Sequence, residues 1–354
     1  MNRYLSRNYK NIDSAGNKAK ADIEKTLAKA GFSNAGLPMS VSSNSFVHFT
    51  RTLFGVLKTP FSLRKGDILV VQYPLKKYFS MVCHMAHARG AKVITVVHDL
   101  GSFRRKALTE EHEMRRLNNS DYIIAHNDSM KQWLNVRGCR ALTGTLKIFD
   151  YLSSTTNHGD HSFNGHYTVV YAGGLNRRKN TFLYKWGEYI TTYKVRIYGN
   201  GFEPEYAKGA DKFEIMGYVK SDDLIATAGG HFGLVWDGDS VDACTGAWGE
   251  YLKYNTPHKT SLYLRCGLPI IIWKEAAMAR FVSDNGVGLC VGSLRELDDM
   301  LVKVTPYEYS HMADNARTVG QRLAGGYYIK AAINEAIERI GMKDKPLTTY
   351  NITH

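Results

Sequence analysis

Short apolar runs rich in Val and Ile alternate along the chain with longer segments whose apolar residues recur at helical spacing, which predicts parallel β-α units with both sheet faces covered. In the first half the runs are Ile68 to Tyr73, Val93 to His98 and Tyr122 to His126, separated by Lys77 to Gly90 and Leu108 to Asn119. These read as central strands. Ahead of them Ser14-Ala15-Gly16-Asn17 leads into Lys18 to Ala30, where Ala19, Ile23, Leu27 and Ala28 share a helical face and Gly31 closes the end. A polar stretch from Ser153 to Gly165 interrupts the pattern, and a second series follows with Thr168 to Ala172, Val195 to Tyr198, Phe232 to Trp236, Pro269 to Trp273 and Gly288 to Val291. The expectation is an α/β chain with one domain over 1–152 and another over 166–325. Segment 326–354 carries a helical pattern from Tyr327 to Ile340, with room to cross to the first domain.

Most strands of the second series end in small or polar residues, and open parallel sheets bind ligands at those carboxyl ends. Tyr171 to Asn180 is a buried strand opening through Gly173-Gly174 into Asn176, Arg177, Arg178 and Lys179. Glycines permit close backbone approach and the cations suit a diphosphate; a tight turn before a solvated basic helix fits the same residues. Near the same sheet edge Pro257 ends an irregular segment, His258 to Ser261 opens a helix and Cys266-Gly267 closes it. Lys259 then sits at a helix N-terminus as a second phosphate ligand, or as an ordinary surface lysine.

Composition narrows the classes. With 44% hydrophobic and 22% charged residues, the chain of 354 residues is globular throughout. The first sixteen residues lack the apolar core of a secretory signal and no later run is long enough to span a bilayer, so the chain reads as cytoplasmic. Five scattered cysteines indicate neither disulfides nor a zinc site. Lys plus Arg number 46 against 33 Asp plus Glu, a net +13 that attracts phosphates, nucleic acid or an anionic membrane face. The basic residues form no nucleic-acid motif, which argues against that partner. Arg104-Arg105-Lys106, following His98-Asp99, suggests peripheral association with a membrane face, unless these charges serve only solubility.

The stretches Ala172 to Lys179, Gly233 to Ser240, Gly249 to Leu264 and Gly267 to Ala277 resemble bacterial glycosyltransferases of the GT-B fold. The group includes galactofuranosyltransferases of surface polysaccharide synthesis and glucosyltransferases of streptococcal serine-rich adhesins. Ser14 to Glu24, His98 to Leu100 and Asp121 to Asn127 match more loosely. The resemblance implies two Rossmann-like domains facing across a cleft, a nucleotide-sugar donor on the second, and a glycan or glycoprotein acceptor on the first. It implies transfer of a hexose, galactofuranose or glucose, from a UDP-sugar without a cofactor or metal. An epimerase or hydrolase of the same fold, or a non-catalytic glycan-binding partner, is the alternative, and a homo-oligomer is compatible with any of them. The implied donor residues are Gly173, Gly174, Asn176, Arg177, Lys179, Tyr218, Asp237, Asn255, His258, Lys259 and Glu275. Tyr218 corresponds to a uracil contact or packs at a domain surface, and Glu275 meets sugar hydroxyls or caps a helix. His98 and Asp99 end a first-domain strand and either could take the acceptor proton, although a strand-end Asp also bonds backbone. Gly16, Lys18 and Tyr73 are the acceptor-side residues. Asp237-Gly238-Asp239 has the spacing of a metal pair but matches the group's own loop, and no metal is expected there.

Overall fold

A computed structural model describes residues 1–9, 12, 15–103 and 108–343. Ser14 and the Arg104-Arg105-Lys106 cluster lie outside the described residues. The first sheet comprises β1 (Asn2–Tyr4), β2 (Ser33–Asn34), β3 (Ile68–Tyr73), β4 (Lys92–Val97), β5 (Tyr122–Ala125) and β6 (Leu142–Thr145), ordered β2-β1-β3-β4-β5-β6. The second comprises β7 (Thr168–Ala172), β8 (Lys194–Tyr198), β9 (Phe213–Gly217), β10 (Phe232–Val235), β11 (Ile270–Trp273) and β12 (Gly288–Val291), ordered β9-β8-β7-β10-β11-β12. All pairings within both sheets are parallel. The second sheet therefore has the 3-2-1-4-5-6 order of a dinucleotide-binding fold, with its switch point between β7 and β10.

The expected central strands all form. The sequence reading missed β1, β2 and β6, because strands of two to four residues carry too few apolar positions to show a period. The first predicted helix begins at Ala15, giving α1 (Ala15–Lys29). The helices not anticipated include α2 (Ser45–Ser62), capped by the Asn44 side chain, and one over Pro306–Ala324, opened by a Thr305/Glu308 capping box. The helix expected near His258 is α3 (His258–Arg265).

Period-two alternation in the first sheet divides its side chains between two cores. Ile68, Val70, Ile94, Val96, Tyr122 and Ile124 join α1 in an apolar cluster continuous with the second domain. Leu69, Val71, Tyr73, Val93, Val97 and Ile123 face the other way, onto Phe79, Val82 and Leu117. At about 1.5–3 kcal/mol per fully buried aliphatic or aromatic side chain, these layers dominate the stability.

The expected crossover exists and binds the domains together. The final helix, α4 (Tyr327–Lys343), lies across β5 and β6, where Arg339 donates to the Thr143 carbonyl at 2.8 Å and Tyr122 donates to Glu335 at 3.1 Å. Its first turn is held by Asp150, whose buried carboxylate accepts from the Tyr328 and Ile329 amides at 3.1 and 2.7 Å. The polar stretch 153–165 joins the sheets, but it is strapped to the second domain. Arg265 donates to the Ser153 and Thr155 carbonyls, and Asn157 donates to those of Ile225 and Ala228.

Replacing Asp150 with Ala should lower the unfolding free energy by about 1–3 kcal/mol, since two buried amides lose their acceptor. Burial raises the Asp150 pKa from 3.8 to about 7, so between those values the native state binds more protons than the unfolded chain and stability falls as pH rises. The substitution should therefore cost more at pH 5 than at pH 8 in urea unfolding; equal costs would contradict the protonated native carboxyl.

Candidate functional site

The carboxyl edges of the two sheets face each other across a cleft of about 850 Å³. Its second-domain wall begins where β7 ends. Gly173 (φ +153°) and Gly199 (φ +146°) lie side by side at the ends of β7 and β8, and a Cβ on Gly199 would stand 1.8 Å from the Gly173 carbonyl oxygen. The two loops are tied by the Leu175 amide donating to the Asn200 carbonyl at 3.0 Å and by buried Asn180 donating to the Gly174 carbonyl at 2.5 Å. Beyond Gly173 the space is open, so backbone can meet a ligand there without a side chain between.

Two cations converge beside this loop. Lys259 Nζ lies 3.0 Å from Asp237 Oδ1 and 4.5 Å above the Tyr171 ring. Lys179 Nζ approaches the same carboxylate oxygen at 4.0 Å and lies over Trp248. The three charges sum to one positive unit. Asp237 is thus held by ammonium groups, at the end of the switch-point strand β10. The N-cap of α3 is Pro257, which supplies no side-chain acceptor to the first-turn amides. The Ala172 amide donates to Tyr263 of α3 at 2.7 Å, tying this helix to the strand that ends in the glycine loop. Such a terminus beside two lysines is suited to an anion.

The first-domain wall carries Gly16, Asn17 and Lys20 of α1 with the strand-end residues His98, Asp99 and His126. Gln72 donates to the Lys20 carbonyl at 3.2 Å, turning its Oε1 toward His98 Nε2 at 2.7 Å. Burial first, then nearby Lys20, holds the His98 pKa well below the usual histidine range. The neutral ring donates from Nε2, leaving Nδ1 as its basic nitrogen. Asp99 accepts from Tyr251 of the second domain at 3.1 Å. The floor is latched similarly: the Thr256 amide donates to His126 Nδ1, and Asn127 donates to the Tyr254 carbonyl and Thr256 hydroxyl. Burial lowers the pKa of His126 to about 4 and of His258 to about 3. His258 stacks on Tyr151 at 4.7 Å.

Of the expected site residues, Gly16, His98, Asp99, Gly173, Gly174, Lys179, Tyr218, Asp237, Asn255, His258 and Lys259 line this one cleft. Tyr218 is 60% exposed, with its ring available from the cleft. Five do not line it. Tyr73 is fully buried on the opposite face of β3, bonded to Glu113 at 2.9 Å, because strand alternation turns it away from neighbouring Gln72. Lys18 pairs with Asp22 and donates to the Leu152 carbonyl, serving the domain junction. Asn176 accepts from the Lys179 amide, and the Arg177 guanidinium lies over Tyr206. Glu275 lies in a separate shallow groove, 3.8 Å from Lys253.

Family models meet nearly the whole of this architecture. The glucosyltransferase 3-like N-terminal domain matches residues 2–148 and the glucosyltransferase 3-like C-terminal domain matches 169–336. The beta-1,6-galactofuranosyltransferase WbbI of Escherichia coli is 34% identical over 78% of this chain and 81% of its own length. Glucosyltransferase 3 of Streptococcus gordonii is 24% identical over 91% of this chain and 94% of that protein. The chain belongs to the glucosyltransferase 3-like family. It is a glycosyltransferase. Solved structures agree on its fold: Anabaena HepE, crystallised with UDP-glucose, superposes with a TM-score of 0.57 at 14% identity, covering 96% of this chain and 100% of that one. A Listeria monocytogenes protein described as a putative UDP-N-acetylglucosamine 2-epimerase gives 0.54 at 12% identity, covering 96% and 98%.

This glycosyltransferase also brings to its cleft residues that sequence reasoning passed over: Lys20, His126, Trp248 and Tyr251. His126 was detectable, since it ends β5 as His98-Asp99 follow β4. Trp248 and Tyr251 lie on two successive single helical turns, Gly246–Gly249 and Glu250–Lys253, too short to show a period. Replacing Gly199 with Ala should displace the Gly173 loop and cost roughly 1–3 kcal/mol from its positive φ alone. Thermal unfolding and nucleotide binding should both weaken; wild-type values for both would show that the two loops are not in contact.

Proposed function

We propose that this glycosyltransferase moves a sugar, galactofuranose or glucose, from a UDP-sugar to a carbohydrate hydroxyl of a surface glycan or glycoprotein. The observation that carries the reading is the convergence of Lys179 and Lys259 on Asp237 beside the uncapped terminus of α3. A diphosphate entering there gains both ammonium groups, the first-turn amides and the open backbone at Gly173. In this reading Tyr218 stacks on the base, which its exposed ring beside the cleft supports. The names of the relatives supply the two candidate sugars. On the facing wall His98 Nδ1 or the Asp99 carboxylate takes the acceptor proton, and the acceptor lies against α1 near Gly16 and Lys20.

Replacing Lys259 with Ala removes a charge-assisted contact of roughly 1.5–3 kcal/mol, or about ten- to a hundred-fold in affinity. Calorimetry with UDP should show that loss, and unchanged binding would refute the diphosphate assignment.

Metal independence is part of the proposal, because paired ammonium groups can offset the charge developing on the leaving diphosphate. Transfer from the donor to a glycan acceptor should continue in excess EDTA. Abolition by EDTA with restoration by Mg²⁺ or Mn²⁺ would instead make Asp237 and Asp239 ligands. Donor consumption without acceptor would favour hydrolysis or epimerisation over transfer.

A further inference from the structure

The α2 helix presents its apolar stripe to the outside. Its inward face is Gly55, Val56 and Thr59, all buried. On the opposite face Phe46, Phe54, Leu57 and Phe61 are 74%, 61%, 45% and 87% exposed, and Phe49 extends the stripe at its edge. At 100° per residue Phe46, Phe54, Leu57 and Phe61 fall within one quadrant, directed away from the core. Contiguous exposed side chains of this size on a folded surface mark an interaction site.

The charge around the stripe indicates what covers it. No Asp or Glu occurs from Lys25 to Gly66, whereas Lys25, Lys29, Arg51, Lys58, Arg64 and Lys65 do. Arg51 and Lys58 flank one side of the stripe, and Lys77 Nζ sits 5.1 Å over the Phe49 ring. Lys77 continues into an open groove lined by His112, Arg115 and Arg116. Self-pairing of two copies through this face would set these cations against one another with no carboxylate on the helix to relieve them. An anionic lipid surface neutralises them while taking up the aromatic stripe. Among the described residues, no helix is long and apolar enough to cross a membrane.

We propose that α2 is a membrane-docking helix, lying in the plane of an anionic bilayer with Phe46, Phe54, Leu57 and Phe61 inserted and Arg51, Lys58 and Lys77 at the headgroups. No residue of α2 lines the nucleotide cleft, and the site stands independently of the donor assignment. The test sediments the full chain with phosphatidylglycerol-containing vesicles and with pure phosphatidylcholine vesicles, at low and high salt. The wild type should pellet with the anionic vesicles, and high salt or neutral lipid should reduce this about ten-fold or more. The exposed double variant Phe54→Ser/Phe61→Ser and the charge variant Lys58→Glu/Arg64→Glu should each lose pelleting, while retaining wild-type thermal unfolding and UDP binding. Equal pelleting with both lipids, no pelleting, or undiminished pelleting by both variants would overturn the proposal. A light-scattering dimer that Phe54→Ser/Phe61→Ser converts to monomer, without vesicle binding by either form, would reassign the face to contact between copies of this chain.

Discussion

Two parallel sheets can share a site only if their carboxyl edges are held facing each other, and the crossing helix α4 meets that constraint. It leaves the second domain at Gly326 and packs on β5 and β6 of the first, with its first turn bonded to Asp150 immediately after the first sheet. The apolar cluster continues through it from one domain to the other, so separating the sheets would expose buried Tyr328, Ile329, Ile333 and Ile340 to water. The latches at Tyr251–Asp99 and Thr256–His126 are individually small polar contacts. They set the fine position of the cleft walls within a frame that burial has already fixed.

Within that frame the cleft divides its charge between two kinds of basic residue. His126 is buried and His98 and His258 are half-buried, and desolvation keeps all three neutral near pH 7. Positive charge comes from lysines whose ammonium groups reach solvent or a carboxylate. Asp237 is central to this division, since it offsets Lys259 and Lys179 while leaving a net positive site. A carboxylate that holds two cations in position serves an anion site by reducing the reorganisation required when the ligand arrives. The outer face of the first domain uses charge differently. There the segment from Lys25 to Gly66 carries cations and no Asp or Glu, and Phe46, Phe54, Leu57 and Phe61 of the α2 stripe are exposed.

Much of this was legible in the chain itself. Runs such as Ile68 to Tyr73 and Thr168 to Ala172 gave strands because a strand buried on both faces must be continuously apolar, and Gly173-Gly174 marked a strand end because few other residues tolerate that backbone. The position of Lys259 followed from Pro257 opening one helix and Cys266-Gly267 closing it. These are local rules, and local sequence is enough to apply them. The facing direction of side chains and the partners of charges were not local. Tyr73 and Gln72 are adjacent in sequence, yet one enters the far core and the other supports His98, because only the packed sheet defines which face meets the cleft. Arg177 and Lys179 lie two residues apart in one basic run, yet only the second reaches Asp237. The outward turn of α2 likewise depended on tertiary structure: its Phe residues satisfy a helical pattern that by itself predicts burial, and only the assembled fold shows that Gly55, Val56 and Thr59 took the inner face.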